Sequence, residues 1–386
     1  EKEINFSELI PKLQKLVESG TTAIHIPGTI VRNALHNLTS VTDHTIISNK
    51  CGGSEGFKDF CERAKALNLC VLIDFLPVVS ILYGSRKYTQ YCTRIINRKG
   101  REEIAEIPNS DSMLMNYRSL KFWNLLSDEL VELCDKYKIS GFYLGSIDQW
   151  DTVYPRNLNE LNRIDPDGND HYQVTNIIEG SIINIDESKQ CGLSKRDIES
   201  SPFLISLMKK LWNKNPDAFV WMDCEPKIEP FVIKSGIIPS NTEFIDILSN
   251  SIKNSVNNEN VDAIDSNAEL SKIYEKRNQR NPKGSFIIAP FGSLTTNPFS
   301  DLTPDGLSLA LNGLFFLSDV PLLSGCLDYS ICAYDAYNVK NTNVQKPYKW
   351  YPNNTAFTNI LINCSSARTK TDWALGGDIH ILPVSY

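Results

Sequence analysis

The sequence predicts an α/β fold, a β/α barrel, on three observations. In CVLIDFLPVVS (residues 70–80) the run 71–75 is apolar except for Asp74, and Pro77 stops it. A continuous apolar run ended by a breaker reads as a strand buried on both faces. Just before it, Phe57, Phe60, Cys61, Ala64 and Leu67 recur at helical spacing, which gives helix, turn and buried parallel strand in succession. Thereafter helices alternate with short apolar strands for most of the chain, the pattern of a parallel sheet. Asp74 falls near the C-terminal end of its strand, where a β/α barrel builds its active site.

The elements follow in order. Ser7 reads as a helix N-cap, with Ile10, Leu13, Leu16 and Val17 on one face and Gly20 closing the helix. Residues 21–26 (TTAIHI) form a short strand stopped by Pro27-Gly28, and 32–56 are polar loop. Residues 81–115 turn polar and basic and read as an excursion from the barrel. Leu120–Tyr137 is helix, with Phe122, Leu126, Leu130, Leu133 and Tyr137 on one face, and its successor strand is Gly141–Ser146. A polar insertion spans 147–202, followed by helix 203–212 and strand 218–222. Residues 244–248 (FIDIL) read as the next strand, with 249–272 as a polar segment after it. Strands at 285–289 (SFIIA) and near 320–323 bring the count to seven. The domain boundaries that result are a barrel over 1–335 and a short extension over 336–386, with strand-like pieces at 357–362 and 379–384.

Composition narrows the class. The 386 residues are 41% hydrophobic, ample for one barrel of roughly 250 residues with its insertions. The net charge of −7 argues against nucleic acid or an anionic membrane surface as the main partner. No apolar run reaches the roughly 20 residues that span a bilayer, and Glu1 does not open a signal peptide. The ten cysteines include no C-x-x-C pair, and their even number fits a cell-surface or secreted protein with disulfides. Cys51, Cys92, Cys191 and Cys364 lie in polar segments and are the better disulfide candidates. Cys70, Cys134 and Cys224 read equally as buried thiols or disulfide partners, and Cys326 and Cys332 are close enough to close a small ring. Four N-x-S/T sequons, at Asn5, Asn37, Asn353 and Asn363, point to the same extracellular location. The five histidines (His25, His36, His44, His171, His380) show no metal-binding spacing, and neither a phosphate loop nor a G-x-S-x-G elbow is present. No metal or cofactor is expected.

The order of segments resembles the alpha-amylase-type glycoside hydrolases. In that family a Gly-rich helix start leads to a strand of the form IDxxPNH; here GGSEGFKDFCERAKALNLCVLIDFLPVVS has that shape. The next family strand is GFRxD; here it is GFYLG. A strand ending in the acid Glu and one ending in His-Asp follow, then a helix leading to a PG-x-P strand, here LALNGLFFLSDVPLLSG. The resemblance covers roughly residues 8–330 and implies a (β/α)8 TIM barrel of the alpha-amylase type. The family's first strand has no match before Ser7, and the C-terminal β domain is short or missing.

Retaining glycoside hydrolysis requires two carboxylates about 5–5.5 Å apart. Carried over residue by residue, the family's set is broken. Asp74 matches, but the Asn-His positions hold Val78 and Val79, the arginine position holds Tyr143 and the nucleophile position holds Gly145. The acid/base falls near Cys224, with Glu225 one residue on, and the His-Asp pair falls around Phe291-Gly292. Asp74, Asp148 and Glu225 are thus vestigial candidates, each with a plain reading as a turn or loop-orienting residue.

A barrel kept without its chemistry resembles the extracellular domain of the heavy subunits of heteromeric amino-acid transporters, and a flatworm permease heavy chain is one reading of it. That resemblance implies a type II membrane glycoprotein at the plasma membrane, anchored by one helix upstream of residue 1. A cysteine, also upstream, would join it by disulfide to a multi-spanning light subunit, which it would stabilise and traffic. Two alternatives stay open: a glycosidase with a site rebuilt from Asp74, Asp148 and Glu225, and a sugar-binding module stacking sugar on Tyr143, Trp150 and Tyr154.

Overall fold

The computed structural model describes residues 5–31, 41–76, 78–92, 94–96, 101–104, 112–113, 115, 119–146, 173–174, 202–257, 263–291, 304–323 and 355–370. The chain enters through α1 (Phe6–Leu9), a 3-10 turn at Ile10–Lys12 and α2 (Leu13–Glu18). The cap lies two residues earlier than the sequence suggested. Asn5 Oδ1 accepts from the Ser7 N–H at 3.0 Å, as a short polar side chain does at a helix start. Gly20 then closes the segment with φ +82°. β1 (Ala23–Ile26), α3 (Gly53–Ala66) and β2 (Cys70–Asp74) complete the first barrel units.

An excursion follows, made of β3 (Val79–Ser80), α4 (Arg86–Thr89), β4 (Arg94–Ile96), β5 (Glu102–Ile104) and β6 (Ser112–Met113). The barrel resumes with α5 (Leu120–Tyr137) and β7 (Gly141–Ser146), both with the bounds that their periodicity predicts. Of the insertion at 147–202, β8 (Gln173–Val174) is described within it; it pairs antiparallel with β4. The remaining elements are α6 (Pro202–Lys214), β9 (Phe219–Asp223), α7 (Glu229–Lys234), β10 (Ile238–Ser240), α8 (Glu243–Asn257), α9 (Ala263–Arg280), β11 (Ile288–Phe291), α10 (Pro304–Leu317), β12 (Val320–Leu323) and α11 (Thr355–Thr369).

Seven strands form one sheet in the order β1-β2-β7-β9-β10-β11-β12, and every pair is parallel. The sheet is that of a partial β/α barrel. Its outward side chains, Ile73, Phe142, Leu144, Val220 and Met222 among them, are buried with residues of α3, α5 and α6 in one core. At the far edge α11 joins both ends of the sheet. Arg368 donates to the carbonyls of Phe315, Ser318 and Asp319 at the end of α10. Ser365 lies so close to Gly20 that no Cβ would fit there.

Two predicted strands are helical. FIDIL lies in α8, because Ile245, Leu248 and Ile252 recur at helical spacing and bury against Ala310, Leu311 and Leu314. A five-residue window cannot separate the two periods; the strand here is the shorter Ile238–Ser240, which Pro239 had masked. The polar segment 249–272 contains the rest of α8 and much of α9. Residues 357–362 belong to α11, where Leu361 and Cys364 face inward. Residues 379–384 lie outside the described residues.

Cys364, a disulfide candidate on sequence, is a buried free thiol donating to Asn312 Oδ1 at 3.4 Å. Cys61 and Cys134 are buried free thiols, and Cys70, expected inside, is exposed. Cys92, the second candidate described, donates its thiol to the Thr89 carbonyl at 2.9 Å. Cys51 Sγ stands 3.9 Å from the Gly28 carbonyl oxygen. Cys191, Cys326 and Cys332 lie outside the described residues. Of the sequons, Asn363 is exposed on α11 and Asn5 is half-buried at its cap; Asn37 and Asn353 lie outside.

One buried polar network ties the excursion to the barrel. Glu129 of α5 accepts from Tyr88 Oη at 3.0 Å and pairs with Lys87 Nζ at 2.8 Å. Lys87 also pairs with Asp43 at 2.7 Å. His44, fully buried, donates Nε2–H to the Leu76 carbonyl at 2.7 Å, while its Nδ1 lies 3.3 Å from Glu129. Burial alone would push the Glu129 carboxyl up, but hydrogen bonds and charge from His44 and Lys87 outweigh it and hold it below its ordinary 4.5.

Two predictions follow from this packing. A Cβ at Gly141 would stand 1.7 Å from the Phe219 carbonyl oxygen, whereas one at Gly284, with φ +82°, would meet nothing within 4 Å. Gly141→Ala should therefore lower stability by about 3 kcal/mol or more, by forcing two strands apart. Gly284→Ala should cost only about 1 kcal/mol, for its backbone. Denaturant midpoints of the two variants give the comparison. Breaking the buried network by Glu129→Gln should cost about 3 kcal/mol at neutral pH. Because the folded carboxyl is depressed, its stabilisation is present above pH 4.5 and is lost as pH falls through the lower folded value. Urea unfolding at stepped pH should show that this part of the acid loss is missing from the variant.

Candidate functional site

Register decides which side chains meet at the barrel mouth. Asp74 pairs with Tyr143, Tyr143 with Trp221, and Asp223 with Ser240, while His25 pairs with Leu72, two residues before Asp74. Since side chains alternate along a strand, His25, Asp74, Tyr143, Trp221, Asp223 and Ser240 all fall on one face. That face is concave. β1 and β9 are three strands apart, about 14 Å on a flat sheet, yet the rings of His25 and Trp221 lie 5.3 Å apart, edge to face. Tyr143 packs 4.2 Å from Trp221 and 5.2 Å from His25. Three rings thus share the mouth.

Both carboxylates on this face are engaged. His25 Nε2–H donates to Asp74 Oδ1 at 2.6 Å, and the Gly28 N–H donates to Asp74 Oδ2 at 3.1 Å. Gly28 has φ +77°, a turn conformation open to glycine, which lets the backbone N–H reach the strand end. On the other side the Tyr143 hydroxyl donates to Asp223 Oδ2. Burial raises the Asp223 carboxyl above its ordinary 3.8, against the opposing hydrogen bonds of Tyr143 and Ser240 and the charge of His25. Chemically this gives, on one face, an imidazole-paired carboxylate and a carboxyl whose pKa burial raises.

β7 carries an irregularity near its end. Its pairing with β9 shifts register between Tyr143 and Ser146, and Gly145 sits in that irregularity with φ +76°. Glycine occupies this left-handed region without strain. A side chain at this position would have to take up that left-handed backbone.

The sequence candidates divide accordingly. Asp74 lies in the cluster. Glu225 is exposed past the end of β9, at the start of the 3-10 turn Pro226–Ile228. Cys224, the acid/base position in the sequence alignment, is buried on the opposite face from Asp223. Asp148, Trp150, Tyr154, His36, His171 and His380 lie outside the described residues. Sequence reasoning missed His25 and Asp223. The signal was parity: in FVWMD, Trp221 and Asp223 share a face, and Cys224 does not. Among the described residues no group of His, Cys, Asp and Glu is arranged to hold a metal ion.

No family model matches the chain, and no curated protein matches it. Solved structures do. The alpha-amylase of Geobacillus thermoleovorans, determined with acarbose, aligns at 12% identity and TM-score 0.64 over 96% of this chain and 74% of its own. The Nostoc punctiforme debranching enzyme aligns at 11% identity and TM-score 0.62, covering 97% and 74%. The type III pullulan hydrolase of Thermococcus kodakarensis gives 14%, 0.65, and 97% against 60%. The fold is that of the alpha-amylase-type glycoside hydrolases.

Tyr143→Phe tests the electrostatic account of the mouth. Removing a donor to the ionised form should raise the Asp223 pKa further. A raised folded value makes stability fall as pH rises from 3.8 through that value, so the fall should extend to higher pH in the variant. Carboxyl titration by NMR, with unfolding at stepped pH, reads both effects.

Proposed function

We propose that this chain is the extracellular, non-enzymatic domain of a transporter heavy subunit, which stabilises a multi-spanning amino-acid transporter light subunit and brings it to the plasma membrane. The observation that carries the reading is Gly145, a glycine at φ +76° in the nucleophile position of a glycosidase-type barrel. Around it, Asp74 is held by His25 and Gly28, and Asp223 by Tyr143. Those contacts support a mouth that maintains itself rather than waits for a sugar. In this reading the glycans at the sequons and the linking cysteine upstream of residue 1 belong to a type II cell-surface glycoprotein.

A second reading is favoured by one observation. Asp223 is raised by burial, as a general acid needs to be, so a rebuilt glycosidase would use Asp223 as acid with Asp74 as the second carboxylate.

Two measurements separate them. Purified protein incubated with α-glucosides and malto-oligosaccharides should release no more sugar than the Asp74→Asn, Asp223→Asn double variant. Turnover that drops about a hundredfold in Asp223→Asn, and that fades as pH rises past the raised carboxyl, would establish the second reading instead. On blots of native membranes, the band should shrink on reduction by the mass of a transporter subunit. A band indifferent to reductant would sink the heavy-subunit assignment.

A further inference from the structure

His44 has more contacts to serve than a neutral imidazole can satisfy. It is fully buried, with its ring stacked on Phe75 at 4.4 Å. Nε2 lies 2.7 Å from the Leu76 carbonyl, which can only accept, so Nε2 carries a proton. Nδ1 lies 3.0 Å from Tyr88 Oη and 3.3 Å from Glu129 Oε2. What Nδ1 must be therefore depends on where the one hydroxyl proton of Tyr88 goes.

Tyr88 Oη accepts the His44 backbone N–H at 3.1 Å and lies 3.0 and 3.1 Å from the two oxygens of Glu129. Were the hydroxyl proton aimed at Nδ1, the oxygen would meet a buried carboxylate with lone pairs alone, a costly contact. Aimed at Glu129, the proton leaves Nδ1 facing the same carboxylate, and a second ring proton makes that contact favourable. Glu129 is not the holder of that proton. Burial alone would push its carboxyl up, but hydrogen bonds and charge from His44 and Lys87 outweigh it and keep it ionised.

Charge balance points the same way. Among the described residues, the titratable groups around His44 are Asp43 beside it, Lys87 and Tyr88 of α4, and Glu129 of α5. The end of β2 adds only the Phe75 ring and the Leu76 carbonyl. With an imidazolium, two cations meet two carboxylates. Without it, Lys87 alone is left between Asp43 and Glu129, which are 6% and 3% exposed, and a buried charge without its partner is costly.

We propose that His44 is a proton-operated latch, whose second ring proton seats the excursion on α5 and on the end of β2. Histidine is the side chain whose charge changes near neutral pH. The folded cluster needs the proton, so the latch holds at lower pH and is lost as pH rises and Nδ1 lets the proton go. The latch operates under either reading of the barrel mouth.

The test is nitrogen-15 NMR of the histidine rings in the full chain at stepped pH, with the His44–Phe75 ring contact followed by nuclear Overhauser effect. At neutral pH wild type should show both His44 ring nitrogens protonated. Glu129→Gln, which removes the charge and keeps the shape, should show only one. Raising the pH on wild type should remove the Nδ1 proton and the contact to Phe75 with one midpoint. The proposal is overturned if wild-type His44 carries a single ring proton at neutral pH while its contact to Phe75 is intact. It is equally overturned if the Nδ1 proton leaves and that contact stays, or if a folded Glu129→Gln keeps both protons. Should that variant not fold, the wild-type titration decides alone, by whether proton and contact are lost together.

Discussion

The hydrogen-bond register linking β2, β7 and β9 fixes what the barrel mouth contains. Leu72 pairs with Gly141 and Gly141 with Phe219, and two residues further on the same ladder brings Asp74, Tyr143 and Trp221 into one row. A slip of one residue on any strand would exchange that row for Ile73, Phe142 or Val220, side chains that fill the space under the helices. The close approach of Gly141 to the Phe219 carbonyl locks the register, because nothing larger than hydrogen fits between the strands. The polar mouth and the apolar outer core are thus two consequences of one alignment.

A different kind of constraint holds the excursion. Its short strands are too few to stand alone, and its anchor is the ion network around Glu129. Buried charges are costly unless every partner is present, and here Tyr88, Lys87 and His44 converge on a single carboxylate. His44 also stacks on Phe75 at 4.4 Å, one residue past Asp74. His44 thus stands between the excursion, through Tyr88, and the end of β2, through Phe75.

Much of the fold was legible because long amphipathic helices and fully buried strands carry strong periodic signals. α5 and β7 were readable to the residue; so was the ending of α2 at Gly20. The misreadings occur where a window is short. FIDIL has apolar residues for either period, and only Ile252 beyond it, in step with Ile245 and Leu248, settles the matter for a helix. The site was half legible. Asp74 could be read because it sits in a strong strand signal, and Tyr143 because it stands where the family pattern has an arginine. His25 gave no signal in a four-residue strand, since its role arises from Asp74, 49 residues away. Asp223 gave no signal because the motif reading drew attention to Cys224 and Glu225, and one residue is the unit of displacement that turns a side chain to the other face.

Gly145 has a bearing on how such a barrel could be re-engineered. An aspartate at that position would carry its Cβ on a left-handed backbone at the point where β7 falls out of step with β9, a conformation aspartate adopts more readily than most residues but at some cost. The irregularity in one strand thus makes what this position can carry a matter of backbone course as well as of residue type.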